Sequence, residues 1–245
     1  MASNGAGMPE GKVEIVPTGN EEFDIKLGGG VPFPSLLIIE GPHGTGKTAL
    51  SQLFLKGALD MGLRGLAVVT ESTIRGYILK SEAAGISLTE HFLRGRLDVY
   101  STQFEGSRWG RRSATVLLDL ISRFLESESR RYEVLLVDSL SHIAIYSSPI
   151  RVLNFFNTVR LIADRGKLVV LTLHEGVLRE DLTTRARATC DGYMKLSLAS
   201  LAGKTVKVLK IVKLKGARSQ FDPTITFDVD PSFGIKLVPI ALASV

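Results

Sequence analysis

The apolar residues of this chain fall into short unbroken blocks, and between the blocks they recur every three or four positions. A short strand is expected at 97–101, and the blocks at 35–40, 66–70, 133–138 and 167–173 are too short for helices and too uniformly apolar for half-exposed strands. They predict strands buried on both faces. The intervening stretches predict helices over 49–59, 74–84, 113–128 and 150–163, with Gly85 and Gly166 where the second and fourth should stop. In the third, Val116, Leu117, Leu120, Ile121, Phe124 and Leu125 fall at helical spacing. Ahead of all these, Asn20 predicts the cap of a short helix over 21–27. Gly28, Gly29 and Gly30 end that helix, and Pro32 leads the chain into the first strand. Strand and helix in alternation predict an α/β fold, a mostly parallel central sheet with helices on both faces.

The last third reads differently. Segments 191–199, 205–214 and 223–228 alternate or favour β-branched residues, with Gly203 in the first turn, and predict antiparallel C-terminal edge strands. No internal repeat or linker interrupts the chain. The expectation is a flexible, glycine-rich N-terminus over 1–12 and a single domain over 13–245.

Composition changes this picture little. A hydrophobic content of 44% is ample for a sizeable core. The single Cys190 excludes an internal disulfide and a multi-cysteine metal site, as expected in a reducing cytoplasm. No apolar run approaches the ~18–20 residues of a spanning helix, and the first residues lack a signal-peptide core. A cytoplasmic protein without a transmembrane segment, able to dock on a membrane complex, is expected. The net charge of +5 suits nucleic acid, an anionic membrane or a basic nucleotide-binding protein equally well.

The stretch Gly41-Pro42-His43-Gly44-Thr45-Gly46-Lys47-Thr48 carries the chemistry. Two glycines followed by Lys and Thr, between a predicted strand and a predicted helix, match the phosphate-binding loop in its proper context. Gly44 and Gly46 let the backbone turn so that successive N–H groups face phosphate oxygens. The start of the following helix adds its positive dipole end. Lys47 is expected to reach β- and γ-phosphates, and the Thr48 hydroxyl to ligate Mg²⁺.

Three strand ends supply further candidates. Asp138 closes an apolar strand, as does the acid that holds Mg²⁺ in phosphate-loop proteins; an ordinary strand-end carboxylate would look the same. Glu71, at the tip of another strand, could orient or deprotonate an attacking water, or simply balance the dipole of the next helix. His174 could contact a γ-phosphate or serve as a local hydrogen-bonding residue. Lys213 and Lys215 fall on one face of a late strand, either as cationic fingers toward a neighbouring subunit's phosphate or as a lysine-protected edge. The cluster Arg108-Trp109-Gly110-Arg111-Arg112 pairs cations with an aromatic, suited to single-stranded nucleic acid or to a protein partner.

Together, the glycine turn, the phosphate loop, Thr70-Glu71, Val137-Asp138-Ser139, Leu173-His174-Glu175 and Lys213-Leu214-Lys215-Gly216 resemble the RecA-like P-loop ATPases, most of all their KaiC-like branch. More narrowly, the chain resembles the archaellum (archaeal flagellum) accessory protein H family, FlaH, over about residues 16–240. The resemblance implies a RecA/KaiC-like fold and a homohexameric ring with ATP and Mg²⁺ between subunits. It implies a place beneath the membrane-embedded archaellum motor, in contact with the motor ATPase, the membrane platform and a scaffold ring protein. It further implies a regulator with weak or absent hydrolysis. The chain departs from KaiC-like ATPases in having Thr70-Glu71 where they usually carry two adjacent glutamates.

Two other readings remain at this point. A DNA-dependent ATPase of the recombinase type would need mobile basic loops after the Asp138 and His174 strands. Residues 139–149 carry no Lys or Arg, and 175–188 mix Arg179, Arg185 and Arg187 with Glu175, Glu180 and Asp181, so nucleic acid is not the expected partner. An energetically active ATPase that remodels protein partners is the other.

Overall fold

The computed structural model describes residues 14–103, 111–201 and 203–239, with the backbone alone at 111–115. Strand β1 (Glu14–Val16), helix α1 (Glu21–Lys26) and strand β2 (Val31–Phe33) come first, and β1 pairs antiparallel with β2. The Asn20 side chain accepts the Phe23 N–H at 3.0 Å, so α1 begins where its cap predicts. The same side chain donates to the carbonyl of Ile235 at 2.6 Å, 215 residues away. Gly30 shows why a glycine ends this turn: φ is +128°, and a Cβ there would lie 2.5 Å from the Val16 carbonyl oxygen.

Next come β3 (Ser35–Gly41), α2 (Lys47–Asp60), β4 (Gly65–Val69), α3 (Ile74–Ala83), α4 (Thr89–Leu93), β5 (Leu97–Ser101) and α5 (Arg111–Glu128). They are followed by β6 (Val134–Asp138), α6 (Ser141–Ala144), α7 (Pro149–Asp164), β7 (Leu168–His174) and α8 (Glu180–Thr189). The chain then runs through β8 (Gly192–Leu201), β9 (Lys204–Leu214), β10 (Thr224–Asp230) and β11 (Gly234–Leu237). The main sheet has the order β11-β10-β9-β8-β3-β7-β6-β4-β5. Pairs from β8 through β5 are parallel, and those from β8 out to β11 are antiparallel.

Every residue of β3, β4, β6 and β7 is buried, as apolar blocks flanked by helices require. Alternate side chains feed two cores. Leu37, Ile39, Val69 and Leu136 join Leu50, Phe54 and Leu59 of α2 with Tyr77 of α3. Leu36, Ile38, Val68 and Val137 join Ile121 and Leu125 of α5 with Val152, Phe155 and Val159 of α7. At ~1.5–3 kcal/mol for each large apolar side chain, these layers hold the strand ends rigidly in register. β3, β6 and β7 finish side by side, with β4 next to β6, so their C-terminal residues meet at one edge.

The structure adds elements that the pattern missed: the β1–β2 pair, α4, α6, α8 and β11. α8 folds from residues read above as a loop. Its apolar signal is weak, and of its few apolar residues Leu182 and Ala186 are buried in the second core. Its C-terminal end is held from outside, because the Lys213 ammonium donates to the carbonyls of Arg187 (3.0 Å), Ala188 (3.3 Å) and Cys190. β8 is also not an antiparallel addition to the parallel sheet. It runs parallel to β3, and the antiparallel wing begins at β9.

Candidate functional site

The turn between β3 and α2 forms a cradle. Gly44 and Gly46 have φ of +76° and +90°, a conformation that other residues rarely adopt, and Gly46 is the residue on which α2 starts. The Thr45 hydroxyl donates to the Pro42 carbonyl at 2.8 Å, tying the loop to itself. The Lys47 ammonium donates to the carbonyls of Gly41 (2.8 Å) and Pro42 (2.7 Å). Burial pushes its pKa below the usual lysine value, against the pull of Glu71 and Asp138. One support is non-local: a Cβ on Gly46 would lie 3.1 Å from Cδ of Lys207, whose ammonium pairs with Asp228 at 2.6 Å.

Asp138 and Glu71 sit at adjacent strand ends in different environments. Asp138 is buried, and that burial pushes its carboxyl above the ordinary range; the hydroxyls of Thr172 and Thr48 offset only part of the rise. The Thr172 hydroxyl donates to Asp138 Oδ1 at 2.5 Å. Glu71 shifts the other way. Burial alone would raise it, but donors from Ser139 and His174 and the charges of His174 and His142 hold it below its usual value. Ser139 Oγ donates to Glu71 Oε1 at 2.8 Å, His174 Nε2 lies 2.7 Å from the same oxygen, and His142 Nδ1 lies 3.4 Å from it. Burial chiefly shifts His174 below the usual histidine value, against the pull of Glu71, and its ring stacks on His43 at a centroid distance of 3.8 Å.

These groups open onto one cavity of about 330 Å³. Its lining joins His43, Gly44, Gly46, Lys47 and Thr48 with Glu71, Asp138 and His174, then continues past Gln52 to Lys80, Ala84 and Val229. The structure therefore brings together the phosphate loop and three strand-end candidates. Pro42 and Gly41 enter through their carbonyls. Lys213 and Lys215 lie outside the cavity: the first holds the end of α8, and the second is exposed with its N–H on the Asp191 carbonyl at 2.9 Å. Arg108, Trp109 and Gly110 lie outside the described residues, and Arg111 and Arg112 begin α5.

Several contributors were not singled out in the sequence. Ser139 follows Asp138 directly and Thr172 precedes His174 by two positions, so both were within reach of a strand-alternation argument. Lys80, Ala84 and Val229 depend on how α3 and β10 pack, which no local pattern specifies. The side chains present suit a hard, oxygen-loving cation at Thr48 and Asp138, as Mg²⁺ is. The donor atoms of His43, Glu71 and His174 also lie within 4.8 Å of one another. The His43–His174 stack, at an interplanar angle of 27°, and the His174–Glu71 hydrogen bond account for the group without an ion.

A sequence profile of the KaiC ATPase family matches residues 16–241. The chain is 37% identical to the archaeal flagellar ATP-binding protein FlaH of Sulfolobus acidocaldarius, over 94% of this chain and 99% of that one. It belongs to the FlaH family of KaiC-like ATPases. FlaH of Methanocaldococcus jannaschii is 26% identical over 89% of this chain and 92% of its own. The crystal structure of the flagellar accessory protein FlaH from that organism superposes with a TM-score of 0.80, covering 93% of this chain and all of that one, at 23% identity. This FlaH-family chain thus has the RecA/KaiC-like fold, with its phosphate loop, Glu71, Asp138 and His174 around a single cavity. Among its described residues no helix is long and apolar enough to cross a membrane.

Proposed function

We propose that the chain binds ATP with Mg²⁺ and acts as an occupancy switch in the archaellum machinery, with slow or no hydrolysis. The observation that carries this reading is the convergence of Lys47, Thr48 and Asp138 on the cavity that the phosphate loop opens. In it, the Lys47 ammonium turns from the carbonyls of Gly41 and Pro42 to the β- and γ-phosphates, and loop N–H groups from His43 to Thr48 cradle them. Thr48 and Asp138 hold the cation, which when bound neutralises phosphate charge. His174 and Glu71 face the γ-phosphate end.

Slow turnover follows from Glu71. A carboxylate whose Oε1 already accepts from Ser139 and His174, and whose acidity is thereby increased, is a poor base toward water. Binding energy is then available to a conformational equilibrium rather than to turnover. A ligand that binds the assembled form better favours assembly by the same free energy. The partners in this reading are further copies in a hexameric ring, the motor ATPase, the membrane platform and the scaffold ring protein, at a cytoplasmic position beneath the membrane. Lys213 and Lys215 would reach a neighbouring copy's phosphates. The names of the FlaH relatives, which describe archaeal flagellar ATP-binding proteins, support it.

The recombinase alternative loses support, because part of the second stretch that it needs as a mobile loop is helix α8. Calorimetric titration with ATP in the presence and absence of Mg²⁺, followed by pull-down of the motor ATPase, tests the switch. Lys47→Ala and Asp138→Asn should weaken both. Partner binding that persists unchanged in a variant shown not to take up ATP would sink it.

A further inference from the structure

Three of the chain's four histidines, His43, His142 and His174, gather around Glu71. Only one of them joins Glu71 to the phosphate loop. The His174 ring offers two nitrogens for anchoring. Nε2 lies 2.7 Å from Glu71 Oε1, whereas Nδ1 is buried and has no hydrogen-bond partner. A carboxylate can only accept, so the proton of the neutral ring belongs on Nε2. The backbone N–H of His174 is fixed by Ser141 Oγ at 2.6 Å, but that bond leaves the ring torsion free. A side chain with one partnered nitrogen needs a second contact to hold its orientation. That contact is the flat face of His43, 3.8 Å away between centroids and tilted by 27°. His43 lies between Pro42 and Gly44 in the phosphate loop, so any movement of the loop moves the stack.

We infer that His43 is a positioning residue: its stacked imidazole holds His174 in the orientation that bonds Glu71, and so couples the phosphate loop to that carboxylate. The coupling rests on the nucleotide reading given above only for what it senses. A terminal phosphate that shifts the loop alters the hold on Glu71, and a diphosphate, lacking that group, leaves it as it is. The requirement on His43 is a flat aromatic face and not a titrating nitrogen, which separates this role from a direct phosphate contact.

Two measurements on the full chain test the inference. The first needs no nucleotide. In nitrogen-labelled protein, the Nε2 proton of His174 should be visible because its bond to Glu71 slows exchange. His43→Ala should broaden or remove that signal, and His43→Phe should keep it, with thermal melts confirming that both variants fold. The second compares dissociation constants for ATP and ADP with Mg²⁺. The preference of the wild type for ATP should fall by about tenfold in His43→Ala, the loss of roughly one charge-assisted hydrogen bond, and return in His43→Phe. A His43→Ala protein with unchanged signal and unchanged preference overturns the inference, as does His43→Phe behaving like His43→Ala. If the resonance responds as expected but the wild type takes up neither nucleotide, the functional reading falls and the positioning role stands.

Discussion

In the cavity, Lys47, Asp138 and His174 are each more than nine-tenths buried, while in the antiparallel wing Lys204, Lys210 and Lys215 stand in solvent. Residues 192–239 carry seven Lys and one Arg against three Asp, a surplus equal to the net charge of the whole chain; the remainder is balanced. The two regions handle charge by opposite means. Buried charges cost too much unless bonded, so each in the cavity has named partners at fixed distance. The exposed wing lysines Lys204, Lys210 and Lys215 are hydrated, so they carry potential without carrying geometry, whereas Lys207 and Lys213 have fixed partners. Catalytic or binding precision is therefore expected to reside in the cavity, and adaptable attraction in the wing.

Substitutions test that division in order of expected effect. Lys47→Ala should weaken ATP binding on the order of a hundredfold, read by calorimetry, because it removes a desolvated cation from the phosphates. A loss under about threefold would place the nucleotide elsewhere. Asp138→Asn should abolish most of the gain in ATP affinity that Mg²⁺ gives, roughly tenfold, while leaving Mg²⁺-free binding less affected. It should also raise the melting temperature by about 2–4 °C at neutral pH, since burial disfavours the charged carboxylate. Lys213→Ala should lower the melting temperature by a similar ~2–4 °C, because three carbonyls at the end of α8 lose their donor. If instead melting holds and only ATP-dependent association falls, Lys213 works across a subunit boundary.

The two strand-end carboxylates supply a finer test through pH. Glu71 is held below its usual value of 4.5, so its contribution to stability is complete above that value and is lost as pH falls through the lower folded one. Asp138, shifted upward from 3.8, acts oppositely: its penalty is absent in acid and grows as pH rises through its titration. Ser139→Ala should shrink the first effect and leave the second, visible as a flatter loss of melting temperature between neutral pH and pH 3. The smallest change is expected from Lys210→Gln in the wing, within ~0.5 kcal/mol by denaturant titration.

Much of this organisation is legible in the sequence. Apolar blocks ending in Gly41, Asp138 and His174 could only be buried strands, and burial on both faces forces helices to either side. The loop motif fixed the position and direction of α2. What escaped were features set by distant partners. α8 owes its end to Lys213, on β9, and β11 is a four-residue strand without a clear period. The direction of β8 depends on pairing with β3, which alternation cannot report. Within the site, residue types at strand ends pointed to Glu71, Asp138 and His174. Their opposite carboxyl shifts come from Ser139, Thr172 and the histidines, and so from packing.

The amide of Asn20 accepts from α1 and donates to the carbonyl of Ile235, closing part of the outward rim of β11 with a side chain from the far end of the chain. A sheet whose last strand is sealed in this way offers less main-chain foothold to an incoming strand. A second copy approaching this edge would find one main-chain acceptor fewer, which weights any contact there toward side chains, whose contacts can be made and released.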